Sequence, residues 1–224
     1  MSTGILSIVA TPIGNLEDIT LRALRTLKEA DVIYAEDTRV TSKLLAKYDI
    51  QKPIFRLDEA KETIKAKEVI ERLEKGENVS YVSDAGTPGI SDPGSRLVKA
   101  VREAGHDVVA IPGPSALTAA LSIAGLSGSE FVFLGFLPHK KGRQTALKGI
   151  VEEKRAVVLY ESPHRILKLL EELEALGERR IVIGRELTKI HEEVLSGSAY
   201  ELRMRLDTAG TARGEFVVIV DSTQ

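Results

Sequence analysis

The chain has no cysteine and no tryptophan among its 224 residues. Without cysteine there is no disulfide and no thiolate metal site, a composition suited to a reducing compartment. Aromatic residues make up only 4%, too few for the stacking platform on which single-strand nucleic-acid binders lay successive bases. No apolar run approaches the roughly 20 residues that cross a bilayer, so no membrane association is expected. The first nine residues lack the charged start and long apolar stretch of a secretory leader. The expected address is the cytoplasm. Nor does one charge dominate. The net charge is −2, with 16 basic and 18 acidic residues up to Pro112 and 15 of each after it. Neither half is a basic domain, so a nucleic-acid substrate has to be recognised through a local patch or within a preassembled particle.

What is present is an ordinary globular composition, 43% hydrophobic and 29% charged, with a sizeable core expected. Short apolar runs alternate with amphipathic stretches along the whole chain. Strands are predicted at 5–9, 32–35, 54–57, 79–83, 108–111, 131–134, 156–159 and 181–183. Helices are predicted at 20–29, from near 40, and at 59–75, 96–104, 115–124, 145–152 and 163–176. Two late runs, 194–198 and 216–220, read as strands able to pair in hairpin fashion. Continuous β-rich runs between amphipathic helices imply an α/β fold with buried parallel strands. Proline and glycine crowd near residue 113, which suggests two domains, 1–112 and 113–224.

The punctuation carries the chemistry. Seven of the eight prolines fall in loops after predicted strands. In open α/β sheets such loops line the ligand crevice, although Pro and Gly also simply mark turns. The densest loop is Val82–Gly94, thirteen residues with three Gly, two Pro and two Asp. Its fixed bends and small side chains let backbone approach a ligand closely. It lacks the Lys of a triphosphate-binding loop. Carbonyl dipoles and Asp side chains suit a cationic methyl donor better than a phosphate, which wants N–H groups and cations. The stretch from Val9 to Thr20 is a glycine turn followed by a helix cap, and it does not match a dinucleotide fingerprint. Glu36, Asp37 and Arg39 cluster beyond the second strand, either as substrate-facing groups or as a helix cap. Pro112–Ala116 opens a helix with small residues that ligands can approach. His139, Lys140, Lys141 and Arg143 form a cationic cluster suited to phosphate contact.

Eight stretches are VATPIGNLEDIT, YAEDTR, SDAGTPGISDPGSRLV, IPGPSALTAAL, FLGFLPHKKGR, YESPHR, GRELTKIHEE and GEFVVIV, running from residue 9 to residue 220. Together they resemble the tetrapyrrole-methylase superfamily, and YAEDTR with SDAGTPGISDPG points to its branch acting on ribosomal RNA. The resemblance implies two α/β domains of the class III methyltransferase fold with the cofactor cleft between them, usually in a homodimer. It implies S-adenosylmethionine as cofactor and 2′-O-methylation of a decoding-site cytidine in 16S ribosomal RNA of the small ribosomal subunit. Relatives on this fold modify corrins, porphyrinogens or diphthine precursors, so fold alone does not select the substrate. A tetrapyrrole methyltransferase and a non-catalytic nucleotide-binding assembly factor are the alternatives. Members often continue into a helical C-terminal segment, whereas this sequence stops at Gln224. The expectation is that RNA is gripped by other means or that a segment is missing.

By matching position, the resemblance implies cofactor contacts at Ile13, Asp84, Ala85, Gly86, Ile90, Ser115, Ala116, Tyr160, Glu161, Leu187, Gly214 and Glu215. Ile13 and Leu187 could equally be core residues. Methyl transfer is an in-line displacement that loses a hydroxyl proton, so a positioned base helps. Asp37 is the first candidate, then Glu17, Asp18 and Glu186, with Arg39, Arg185 and Lys189 as cations able to hold phosphate or tune an acid. RNA contact is expected from Lys140, Lys141 and Arg143. No metal is expected, and His106, His139, His164 and His191 are scattered in sequence.

Overall fold

The structure is a computed structural model describing residues 3–60, 62–126, 128–175 and 177–222. The chain divides into two compact units between Ser115 and Ala116. The first unit contains β1 (Leu6–Val9), a 3-10 turn (Leu16–Asp18), α1 (Leu21–Glu29), β2 (Val32–Ala35), α2 (Thr38–Lys47) and β3 (Ile54–Arg56). It continues with α3 (Glu62–Glu74), β4 (Val79–Val82), α4 (Ser95–Glu103) and β5 (Val108–Ile111). The sheet order is β3-β2-β4-β1-β5, and its pairings are parallel. This is the arrangement expected of continuous apolar runs, which must be covered on both faces.

Alternation along each strand distributes its side chains between two cores. Ile33 and Ala35 face a cluster with Ala23 and Leu27 of α1 and Leu44 and Leu45 of α2. Val32 and Tyr34 face the opposite cluster, with Val69 and Leu73 of α3 and Leu97 and Val101 of α4. Each buried Val, Leu or Ile among them contributes roughly 1.5–3 kcal/mol by leaving water. The helix starts are set locally. Thr20 Oγ1 accepts from the Ala23 N–H at 3.0 Å, satisfying one donor that the first turn leaves open.

The second unit contains α5 (Ala116–Ile123), β6 (Phe131–Phe136), α6 (Arg143–Glu152), β7 (Ala156–Glu161) and α7 (Ile166–Glu174). It continues with β8 (Ile181–Arg185), β9 (Glu193–Gly197), α8 (Ala199–Thr208) and β10 (Phe216–Val220). Here the parallel expectation is corrected. The order is β6-β7-β10-β8-β9, β6 and β7 are parallel, and the other described pairings are antiparallel. The last strand inserts at the centre, running against both neighbours, and its five residues are all buried. The hairpin expected of the two late runs is not formed, because β9 pairs with β8 and α8 follows it. That helix was not anticipated, although it carries its own start signal. Ser198 and Glu201 form a capping box, and Ala199, Leu202 and Leu206 fall at helical spacing on the buried face.

The predicted end of one helix at Leu176, and Lys61 within another, lie outside the described residues. Among the described residues, no helix is long and apolar enough to cross a membrane.

Candidate functional site

In the first unit, the loops that leave β1, β2, β4 and β5 are stitched to one another. Thr11 and Gly86 exchange two backbone hydrogen bonds, at 2.9 and 3.0 Å, and Thr11 Oγ1 donates to the Ser83 carbonyl at 3.2 Å. The Asp37 N–H donates to Asp84 Oδ1 at 2.9 Å, and Thr87 Oγ1 reaches the Pro114 carbonyl at 3.4 Å. Gly86 turns the glycine-rich loop at φ +75°, a region L side chains resist. Ile13 Cγ2 would stand 3.5 Å from a Cβ added there. Ala85 and Ile90 are exposed on the same loop.

The far end of the loop is pinned by a residue the sequence reading left in a charged helix. Glu62, at the start of α3, is 2% exposed. Its Oε1 accepts the N–H groups of Gly94 and Leu97 at 3.0 and 2.9 Å. Gly94 offers α4 no side-chain cap, so a carboxylate from a neighbouring helix caps it instead. Gly94 itself, at φ +132°, has no room for a side chain, because a Cβ would lie 2.9 Å from Tyr81 Cε1.

Inside this loop frame sit three carboxyl groups. Burial pushes Glu36 upward, and the negative charges of Asp84 and Asp92 push it further. Burial also raises Asp84. Asp92 is pushed up to about 6, first by burial and then by Asp84, against a hydrogen bond from Ser83 that lowers it. Tyr81 is fully buried beside them, and its hydroxyl has no hydrogen-bond partner among the described residues. Asp92 was not singled out from sequence, although it stands in the same Gly/Pro/Asp run as Asp84. Its raised value has a stability consequence with a definite sign. A carboxyl that binds its proton more tightly when folded adds stability that is full below 3.8, its ordinary value, and lost as pH rises through about 6. The expected result is that wild type loses thermal stability relative to Asp92→Asn as pH rises across that window. Melting temperatures of the two proteins in a pH series check it, and a difference independent of pH would contradict it.

The bases proposed from sequence have the following surroundings. Asp37 is the N-cap of α2 and accepts the Arg39 N–H at 2.9 Å. Arg39 also grips both carboxylate oxygens through Nε at 3.0 and 3.1 Å. These bonds hold Asp37 well below the usual carboxylate range. Arg39 therefore pairs directly with the carboxylate proposed as base. Glu17 and Asp18 lie exposed on the 3-10 turn. Glu186 receives Lys189 Nζ and the Glu215 N–H, both at 2.9 Å, so it braces a loop. Lys189 also pairs with Glu215 at 3.0 Å, and Arg185 pairs with Glu193 at 3.2 Å.

In the second unit, the Tyr160 hydroxyl accepts the Leu117 N–H at 3.1 Å, holding the first turn of α5, just after Ser115 and Ala116. Leu187 is buried, with both methyls 3.1 Å from the position a Gly184 Cβ would take. Gly214 leaves space for Glu186, whose carboxyl carbon would lie 2.5 Å from an added Cβ. Glu161, the last residue of β7, is buried and accepts the Ser162 N–H at 2.8 Å. Among the cationic residues, Lys140 and Lys141 are exposed. Arg143 is not. It is 5% exposed, its Nε lies 3.0 Å from both Glu172 oxygens, and Nη1 donates to the Pro138 carbonyl at 3.2 Å. Its guanidinium is turned inward, to Glu172 and the Pro138 carbonyl.

Residues 6–203 match the family model of tetrapyrrole (corrin/porphyrin) methylases. The chain is 50% identical to ribosomal RNA small subunit methyltransferase I of Thermotoga maritima over 199 residues, 88% of this chain and 90% of that one. It is 49% identical to the protein of the same name from Haemophilus influenzae, over 98% of this chain and 79% of that one. The fold is that of the crystal structure of diphthine synthase, with TM-score 0.77 and 18% identity, covering 98% of this chain and 90% of that one. It is also that of the methyltransferase CobJ, with TM-score 0.74 and 22% identity, covering 99% and 95%. On the family match and these identities, the chain belongs to the tetrapyrrole (corrin/porphyrin) methylase family, within its ribosomal RNA small subunit methyltransferase I branch.

Proposed function

We propose that the protein transfers a methyl group from S-adenosylmethionine to a ribose 2′-hydroxyl of 16S ribosomal RNA, at the decoding-site cytidine of the small ribosomal subunit, as a cytoplasmic homodimer. The observation that carries this reading is near-50% identity, over nearly the whole chain, to relatives bearing that RNA methyltransferase name. The structural likeness to corrin and diphthine enzymes stays below 25% identity and speaks for fold alone.

The glycine-rich loop fits a cationic methyl donor. Gly86 presents no side chain, and Asp84, Glu36 and Asp92 give the surroundings a negative potential that favours a sulfonium over a phosphate. Asp84, Ala85, Gly86 and Ile90 would hold the donor, with Ile13 against Gly86. The donor supplies an electrophilic methyl carbon, and the remaining work falls to the protein. The stitched loops would hold the bound donor in one place, and alignment of donor and acceptor is worth about 7–11 kcal/mol of a barrier. Asp37 stays the first candidate to accept the hydroxyl proton, and Asp92, pushed up to about 6 by burial, stands beside it as a second.

Recognition of RNA rests on few cations. Charge reversal at Lys140 and Lys141 should raise the apparent KM for assembled small subunits by about tenfold or more, since each lost phosphate contact removes released counterions. Affinity for S-adenosylmethionine, measured by isothermal titration, should be unchanged. Equal KM values for wild type and the double reversal would sink this part of the reading.

A further inference from the structure

A second cluster lies entirely within the second unit, where the chain leaves β6 and β7. The Arg165 guanidinium is held at three points. Its Nε lies 3.3 Å from Glu161 Oε1, Nη2 donates to the Leu137 carbonyl at 2.7 Å, and Nη1 lies 3.3 Å from His139 Nε2. A guanidinium has donors and no acceptor, so in this contact His139 Nε2 must accept. The tautomer that makes this bond carries its proton on Nδ1, the other ring nitrogen. Glu161 is 2% exposed, and its second oxygen has no hydrogen-bond partner in the structure. A buried carboxylate oxygen left unmatched is costly. Through its other oxygen Glu161 holds one edge of the Arg165 guanidinium, at 3.3 Å.

The exposed end of this relay is His139, followed directly by exposed Lys140 and Lys141. The three residues offer one oriented N–H donor and two exposed cations, and their side chains bring no carboxylate. That combination suits a phosphodiester oxygen, which takes hydrogen bonds from neutral donors and charge from ammonium groups.

We infer that His139, oriented by Arg165 and Glu161, forms with Lys140 and Lys141 a seat for one RNA backbone phosphate. This rests on the RNA-methylating reading above and deepens it. Arg165 is a positioning residue, fixing the tautomer of a donor it does not replace. Arg143, the cation suggested by sequence, has no part in the seat.

Affinity for assembled small ribosomal subunits, measured without turnover across a salt series, tests the inference. His139→Ala should weaken binding about tenfold, the effect of losing one hydrogen bond to a charged acceptor, with the slope of log affinity against log salt unchanged. Lys140→Ala should instead lower that slope by about 0.7–0.9, as a released counterion requires. Arg165→Lys keeps a partner for Glu161 but loses the fork. It should shift the His139 ring-nitrogen resonances away from the Nδ1–H tautomer and weaken binding as much as His139→Ala, with no further loss in the double variant. Unchanged affinity in His139→Ala, or an unaltered tautomer in Arg165→Lys, overturns the seat. Because binding is read without catalysis, an absence of methyl transfer in wild type would count against the enzymatic reading and leave this test standing.

Discussion

Gly86→Leu should lower affinity for S-adenosylmethionine about a hundredfold or more, equivalent to about 2.7 kcal/mol, while the protein stays folded. The position sets two separate demands. The backbone lies at φ +75°, where a side chain costs on the order of 1–2 kcal/mol. The Cβ alone would make ordinary contacts, 3.5 Å from Ile13 Cγ2 and 3.9 Å from the Pro114 carbonyl oxygen. The domain therefore tolerates the residue, and its bulk projects where the donor is proposed to lie. Gly105→Ala is the matched control. It has comparable backbone, φ +83°, with nothing within 4 Å, so it should cost similar stability and leave cofactor affinity alone. Isothermal titration of both variants separates strain from site, and normal binding by a folded Gly86→Leu protein would remove this loop from the cofactor assignment.

Glu62→Ala should destabilise the protein by about 3–5 kcal/mol, a large share of the stability of a domain this size. The change strands the N–H groups of Gly94 and Leu97, both bonded to Oε1, in a buried setting, and it opens a cavity between α3 and α4. Glu62→Gln keeps an acceptor oxygen of the same shape and loses only the favourable charge at the helix start. It should cost about 1 kcal/mol. Because Gly94 closes the glycine-rich loop, Glu62→Ala should also weaken cofactor binding more than Glu62→Gln. Urea unfolding with ligand titration measures both effects. Equal stability losses in the two variants would show that the carboxylate does not cap α4.

The first unit was legible because its signals are local. Val32–Ala35 and Val79–Val82 are short runs buried along their whole length, which is what a strand covered on both faces requires. The second unit was less so. Phe216–Val220 reads equally well as an edge or a central strand, and only the pairing with β7 and β8 decides it. That pairing depends on contacts distant in sequence, which periodicity does not encode. The glycine-rich loop stood out by composition, whereas its supports did not. Glu62 resembled any solvated acid of a charged helix, and Arg143 resembled its neighbours Lys140 and Lys141 until Glu172 was placed beside it. Asp37 was ambiguous for a different reason. A carboxylate before a helix serves as a cap or as a base, and the choice rests on Arg39 closing over it.

The central claim is methyl transfer to ribosomal RNA of the small subunit. Its most direct test is incorporation from tritiated S-adenosylmethionine into assembled small subunits, stripped 16S RNA and a porphyrinogen in parallel, followed by nucleoside digestion. The account predicts label in the assembled subunits, recovered as 2′-O-methylcytidine, with stripped RNA a slower substrate and the porphyrinogen unlabelled. Label in the porphyrinogen and none in either RNA would contradict it.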